Sequence, residues 1–523
     1  MRILLINPEF PPSYWSFPEQ LKFLRAKTMV PPLGLLTLAA LLPRDWELRL
    51  VDLAAQPISD LDWNWPDIVM MSGMLIQKNN LLELVREAKS KAKTVVVGGP
   101  YPTSLPEELI AAGCDFVVRG ECENTVAQLL ESLNQKGNGL VIENPEKPDL
   151  SLSPLPRFDL LKLKKYGAMG IQTSRGCPFG CEFCDIINLY GSKPRYKTPP
   201  QVVKELETLH KLGWSGVIFI CDDNFIGSRK HAVDLLKHMD IWMKANGSPF
   251  SFITQASINL GQDNELIDLM TQPNFATVFV GLESPDEDVL AGANKFQNIR
   301  NPLLESVKNI NRNGLTVLGS FIIGFDGEKP GMGERITAFV NEANIPIIMF
   351  NKLQPIPNTK LWDRLEAEGR LLKGKAGGNF ITSDFNYIPS RPAEEIDHEF
   401  EEVWTELYSP SNFLTRAYNY YLTMRPTRKA MAKTTGEGIP GNPAVKPGLS
   451  TILLDISQLV RLSWRQGIVS RARIQYWKQL FGILRKNPSR FVPYLTSLVI
   501  AEDMFKLRKE IVSANKSSKT GLT

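Results

Sequence analysis

Half of the chain's six cysteines fall within one ten-residue stretch, "RGCPFGCEFC" at 175–184. Cys177, Cys181 and Cys184 are spaced by three residues and then two, whereas Cys114, Cys122 and Cys221 are scattered. Three thiolates on a short loop, opened by Gly176 and Pro178, can take three irons of a [4Fe–4S] cluster. The fourth iron then has no protein ligand, and an open metal position accepts a small chelating molecule. A zinc knuckle or a redox thiol group is the other chemistry open to three cysteines. Zinc sites usually join two CxxC-type turns, and neither a second pair nor a neighbouring histidine is present. His210 and His231 fall on helical patterns.

A second polar group ends an apolar run. Asp222 and Asp223 in "FICDDNF" close a strand-like segment. Acids buried there need a cationic partner; otherwise they cap the helix expected from "SRKHAVDLLKHM".

These groups need a scaffold, and the chain supplies two alternating series. In the first 145 residues the strand candidates are "RILLINP", "ELRLVDL", "DIVMMSG", "TVVVGGP" and "DFVVRGE", separated by helical patterns. That βαβ rhythm predicts a doubly wound parallel sheet, with ligands at the carboxyl ends of its strands. Those ends are Asn7, Asp52, Ser72-Gly73, Gly98-Gly99 and Gly120-Glu121. Pro-rich "NPEKPDLSLSPLPRFD" reads as a linker. Six further βα units, from "GAMGIQTS" to "IPIIMFNKLQPIP", fit a partial or complete βα barrel. From about Ser390 the pattern is helical, with a loop expected at 434–448. The predicted domains are thus 1–145, a linker 146–165, a barrel 166–375 and a mainly helical domain 376–523, all within the α/β class.

The composition, 43% hydrophobic and 22% charged, is that of a soluble globular protein. Six cysteines in 523 residues make no disulfide framework, which suits a reducing cytoplasm. No apolar run approaches the length of a spanning helix. Residues 411–523 hold 19 Lys or Arg and 5 Asp or Glu, a net charge of +14, which leaves −10 for residues 1–410. Such asymmetry points to an anionic partner.

The spacing CxxxCxxC, with Phe183 before the last cysteine, resembles that of radical S-adenosylmethionine (SAM) enzymes. The surrounding "TSRGCPFGCEFCDI" is similar to the subgroup with an N-terminal cobalamin-binding domain. The resemblance covers residues 1 to about 375. It implies a [4Fe–4S] cluster on the three cysteines, SAM on the open iron, hydrogen abstraction from an unactivated carbon, and an external electron donor of flavodoxin or ferredoxin type. By the same resemblance Asp222 and Asp223 face the SAM amino group, Gln255 the ribose, Glu283 of "VFVGLES" another part of SAM, and Ile322 of "GSFIIGF" the adenine. "SGM" and "GG" resemble the cobalamin fold's Ser-x-Leu and Gly-Gly motifs, which implies cofactor contacts at Ser72, Met74, Gly98, Gly99, Gly120 and Glu121. The usual lower axial histidine is missing, because no histidine precedes His210. The alternative for this domain is a doubly wound sheet that no longer binds cobalamin.

"VPPLGLLTLAALLP" and "LQPIPNTKLWDRLEAEGRLL" resemble the clade of hopanoid C-2 methylases and, more distantly, anaerobic magnesium-protoporphyrin ester cyclases. C-methylation of a large apolar substrate is the function this implies. A radical cyclase or rearrangement enzyme without methyl transfer, or a non-catalytic cobalamin or cluster sensor, is the alternative. The basic tail interleaves Trp464, Tyr476, Trp477, Phe481, Phe491 and Tyr494 with arginines and lysines. That mixture suits a peripheral membrane contact, or a docking face for the acidic remainder. No nucleic-acid module is evident.

Overall fold

The computed structural model describes residues 1–11, 13–135, 137–372, 385–435 and 449–520. The loop expected at 434–448 lies almost wholly outside the described residues. The chain divides into two compact units, one of Met1–Ser16, Arg25–His231 and Gln354–Ile388, the other of Phe17–Leu24, Ala232–Leu353 and Pro389–Thr523.

The first unit is built on a six-stranded sheet. Its strands are β1 (Arg2–Asn7), β2 (Glu47–Asp52), β3 (Ile68–Ser72), β4 (Thr94–Gly98), β5 (Phe116–Arg119) and β6 (Leu140–Glu143), in the order β2-β1-β3-β4-β5-β6. Every neighbouring pair is parallel. Near-continuous apolar strands are what a sheet covered on both faces requires. Leu4, Ile6, Val69, Met71, Val95 and Val97 pack into one core layer. Their neighbours Ile3, Leu5, Ile68, Met70 and Val96 pack into the opposite layer. β6 is not expected from sequence; it is a short edge strand whose three apolar residues end at Glu143 and of which only Ile142 is buried. The βα series begins in this unit with β7 (Met169–Ile171), an antiparallel pair of two-residue strands, β8 (Ser174–Arg175) and β9 (Arg195–Tyr196), and β10 (Gly216–Ile220), which runs parallel to β7.

The second unit carries the later strands of that series, β11 (Phe250–Gln255), β12 (Phe275–Glu283), β13 (Thr316–Ile323) and β14 (Ile348–Lys352), each parallel to the next. β11 alternates strictly: Phe250, Phe252 and Thr254 are buried, and Ser251, Ile253 and Gln255 are half-buried on the opposite face. Helices Ala393–Leu407, Pro410–Thr423, Arg473–Lys486 and Phe491–Thr520 follow. Their tyrosines meet strand backbone: Tyr408 Oη donates to the Ile348 carbonyl (2.7 Å), and Tyr420 Oη accepts from the Val317 amide (2.6 Å). Tyr476 and Tyr494 are fully buried, so the tail aromatics divide between core and surface.

Helix Pro18–Leu24 lies between β1 and β2 in sequence but belongs to the second unit. The first-turn amides of a helix need acceptors, and here the buried Asp503 accepts from Glu19 (2.6 Å) and Gln20 (2.9 Å). Burial, reinforced by the Glu19 charge, pushes the Asp503 carboxyl up to about 6. A raised folded-state value means that the folded chain binds this proton more tightly than the unfolded chain. This group's contribution to stability therefore falls as pH rises from about 4 to about 6. Asp503→Asn should flatten that part of the pH profile of thermal unfolding. Asp503→Ala should lose the cap, at a cost of about 1 kcal/mol.

Candidate functional site

The cysteine loop leaves β8 through Gly176, whose φ is +94°. A β-carbon there would lie 2.8 Å from the Gly191 carbonyl, so only glycine turns the chain at this point. Asp222, completely buried, holds the approach to the turn. It accepts from the amides of Thr173 (2.6 Å) and Ser174 (3.0 Å), from Ser174 Oγ (2.8 Å) and from the Thr173 hydroxyl. Asp223 accepts from the Gly176 amide (2.8 Å). The helix that follows starts at Arg229, and neither acid caps it. The capping expectation is therefore replaced by bonds back to the strand and loop. Burial, with Asp222 alongside, pushes the Asp223 carboxyl up to about 7; the Gly176 amide and Arg175 oppose that rise.

Cys177, Cys181 and Cys184 form no disulfide and are partly exposed. Burial, followed by the charges of Asp185, Cys181 and Cys177, pushes the Cys184 thiol up to about 12. A buried thiol beside two others gives up its proton only to a cation, so the donor set fits a metal cluster. Among the described residues no three His, Cys, Asp or Glu side chains converge on a single metal ion. A cluster does not need such convergence, since each thiolate takes its own iron. Phe183 is half-buried on the same loop. Glu182, between Cys181 and Phe183, is buried and gripped by Arg364 (3.0 Å), and its carbonyl accepts the Leu361 amide (2.9 Å). The "KLWDRLEA" helix is thus a brace for the cysteine loop.

Arg175, the residue before the turn, ties the loop to the sheet. Its guanidinium bonds Glu121 (2.6 Å), Glu123 (2.8 Å) and Gln172 (2.8 Å), and Arg195 pairs with Glu121 (2.7 Å). All these carboxylates are nearly inaccessible. Although burial works against it, Arg175 holds Glu123 down to about 2. Glu121, expected at the cobalamin tail, has its carboxylate paired with two guanidiniums. Arg175, Arg195 and Glu123 were missed from sequence, although two acids closing an apolar strand in "VVRGECEN" signal buried partners.

At the carboxyl edge of the sheet, Ser72 and Gly98 are register partners on β3 and β4. Gly99 follows with φ +104°, and a β-carbon there would meet Ser72 Oγ at 2.5 Å. The paired glycines keep side chains off this edge, and Gly99 lets Ser72 and the Gly73 backbone approach. Gly120 ends β5 with φ +86° and its amide donates to Thr103 Oγ1 (2.9 Å). Met74, which follows Ser72-Gly73, is exposed. The other end of the edge is closed: Asp52 accepts from Asn7 Nδ2 (2.8 Å) and Tyr166 Oη (3.1 Å).

The remaining expected residues lie in the second unit. Gln255, Phe279, Ile322 and Asn351 share the half-buried face of β11–β14, since Gln255 pairs with Phe279 and Ile322 with Asn351. Ile322 is therefore not sealed core, unlike Phe321 and Ile323 beside it. Glu283 ends β12 at a register shift with φ +64°, paired with buried Lys295 (2.5 Å). A non-glycine residue held in that region is strained, and such strain clusters at functional sites.

A B12 binding domain model matches residues 23–130, a radical SAM superfamily model residues 171–340, and a domain of unknown function residues 359–517. An uncharacterized methyltransferase of Synechocystis sp. is 43% identical over 98% of this chain and 92% of its own length. The hopanoid C-2 methylase of Rhodopseudomonas palustris is 31% identical over 97% and 94%. The solved cobalamin-dependent SAM radical enzyme OxsB, with aqua-cobalamin and SAM bound, shares the fold at a TM-score of 0.60 and 14% identity, covering 99% of this chain and 81% of that one.

Removing one partner from a buried ion network leaves an uncompensated charge and costs about 3–5 kcal/mol. Arg175→Met should destabilise the apoprotein by that amount in denaturant unfolding. Adding Glu123→Gln should recover part of the loss.

Proposed function

The chain belongs to the cobalamin-binding radical SAM methyltransferase family, and from that premise we propose that it methylates an unactivated carbon of a large apolar substrate of hopanoid, lipid or tetrapyrrole type. The observation that carries this reading is the match to the hopanoid C-2 methylase, which continues through the C-terminal helices beyond both cofactor domains. The family works with a [4Fe–4S] cluster, SAM and cobalamin. When bound, these groups supply hydrogen-atom abstraction and a transferable methyl group.

The chain's own residues divide the work of holding them. Cys177, Cys181 and Cys184 are the cluster ligands in this reading, on a loop whose entry is fixed by Asp222, Asp223 and Arg175. Asp223, whose proton is held up to about 7, becomes an anion when an ammonium group such as that of SAM approaches. Phe183 on that loop, and Gln255, Glu283 and Ile322 in the second unit, are the further candidates for SAM. Ser72, Gly98 and Gly99 admit the cobalamin tail, with Gly120 and Met74 at its margin. Electrons come from an external ferredoxin- or flavodoxin-type donor. The substrate reaches the enzyme from an apolar phase, which the C-terminal helices contact.

The reconstituted enzyme, given SAM with a deuterated methyl group, a reductant and a hopanoid-containing lipid extract, should yield a lipid heavier by one labelled methyl. SAM cleavage with no labelled product in hopanoid, lipid or tetrapyrrole fractions would overturn methyl transfer. Gly98 is the position for the cofactor test, because a β-carbon there meets Val118 only at 3.5 Å, whereas one at Gly99 collides. Gly98→Val and Ser72→Leu should each weaken cobalamin binding about tenfold or more while the fold is kept. Unchanged affinity in both would place the cofactor elsewhere.

A further inference from the structure

Helix Arg473–Lys486 carries two separate apolar faces. Tyr476, Leu480 and Ile483 are buried within the second unit. Ile474, Trp477, Phe481 and Leu484, spaced by three, four and three residues, form a stripe on the other side, where Ile474 is 79% and Phe481 62% exposed. The indole of Trp477 stacks on Phe481, with ring centroids 6.0 Å apart.

The stripe continues onto the preceding π-helical turn, Arg465–Val469. Trp477 Nε1 donates to the Gly467 carbonyl (2.9 Å). A β-carbon on Gly467 would meet that indole at 2.8 Å, so the missing side chain lets the two exposed surfaces join. Val469 is 67% exposed there, and Trp464, one helical turn before Ile468, is 60% exposed. Single exposed apolar residues need no explanation, but a continuous apolar surface marks a binding face.

Along the chain the charge of this segment is of one sign, with Arg465 alone, among the described residues, paired to Glu19 and Glu502 from outside it. Residues 456–501 contain eight Lys or Arg and no Asp or Glu. Arg471, Arg473, Lys478, Arg485 and Lys486 are exposed on or beside the helix. Among the described residues no helix is long and apolar enough to cross a membrane.

We propose that the face formed by Trp464, Ile468, Val469 and the Ile474–Leu484 stripe is an interfacial anchor that seats the enzyme on an anionic lipid bilayer, with helix Arg473–Lys486 lying in the headgroup plane. Aromatic and aliphatic side chains enter the acyl boundary, and the flanking cations meet lipid phosphates. A polyanion without an apolar phase would leave the stripe in water. A protein partner would have to present both an apolar groove and a matching acidic rim. The anchor rests on the reading that the substrate arrives from an apolar phase, and it names that phase.

The test uses the full-length reconstituted enzyme and sedimented vesicles, either of phosphatidylcholine alone or of phosphatidylcholine with phosphatidylglycerol. Binding is expected with the anionic vesicles and should weaken with salt, as the screening length falls from about 10 Å at 0.1 M to about 3 Å at 1 M. The variant Arg473→Gln/Lys478→Gln should bind at least tenfold more weakly, given about 1 kcal/mol per basic residue at an anionic surface. Ile474→Ser/Phe481→Ser should bind more weakly at every salt concentration. Both pairs are exposed, so circular dichroism and reductive SAM cleavage in solution should stay unchanged. Equal binding to neutral and anionic vesicles, or variants that bind like the parent, would overturn the anchor. So would a salt-independent dimer that Phe481→Ser dissociates and that ignores vesicles, since the face would then meet a second copy. Labelled-methyl transfer to detergent-dispersed lipid reports separately on the methylase reading, which survives if only the anchor fails.

Discussion

A carboxylate sealed away from water must be surrounded by donors, and Asp222 obtains all of its recorded bonds from Thr173 and Ser174. Those two residues lie just before the cysteine loop, so the demand of one buried acid fixes where the loop begins. Asp223 then takes the Gly176 amide, and Gly176 turns the chain in a conformation that admits no side chain. Arg175, between these anchored points, is directed to Glu121 and Glu123 beyond the end of β5. The thiols inherit their position from this sequence of constraints. The cost of burying the charges is met only while every partner is present.

The arrangement divides rigidity from access. The entry to the loop is buried and cross-linked, while Cys177, Cys181, Phe183 and Cys184 remain partly open. Farther along the same loop Glu182 is held by Arg364, so Cys177 and Cys181 lie between two fixed points and Cys184 closely follows the second. At the sheet edge the contrast recurs: Asp52, Asn7 and Tyr166 close one end with their own hydrogen bonds, and Ser72, Gly98 and Gly99 leave bare backbone at the middle. Preorganised surroundings with open reacting positions are what a cofactor-dependent enzyme needs.

The local signals were readable in sequence. Three cysteines in ten residues, the five apolar strands before residue 120 and the alternation of "SFITQ" all depend on neighbours a few residues away. Features set by distant partners were not. β6 is a strand only because β5 offers it an edge, and its own four residues bury a single isoleucine. Glu121 follows a strand end as a ligand contact would, yet Arg175 and Arg195, far along the chain, claim it. Helix Pro18–Leu24 lies within the first series in sequence but is capped by Asp503. Tyr476 and Trp477 are adjacent, and only the packing of their helix shows that one is core and the other surface.

The central claim is that Cys177, Cys181 and Cys184 hold a cluster with one iron open to SAM. Anaerobic reconstitution with iron and sulfide, followed by iron analysis and detection of 5′-deoxyadenosine under reducing conditions, tests it most directly. About four irons per chain and SAM cleavage are expected for the parent and for the variant with Cys114, Cys122 and Cys221 all changed to alanine. Cys181→Ala should lose both. Full iron content and undiminished cleavage in Cys181→Ala would contradict the claim.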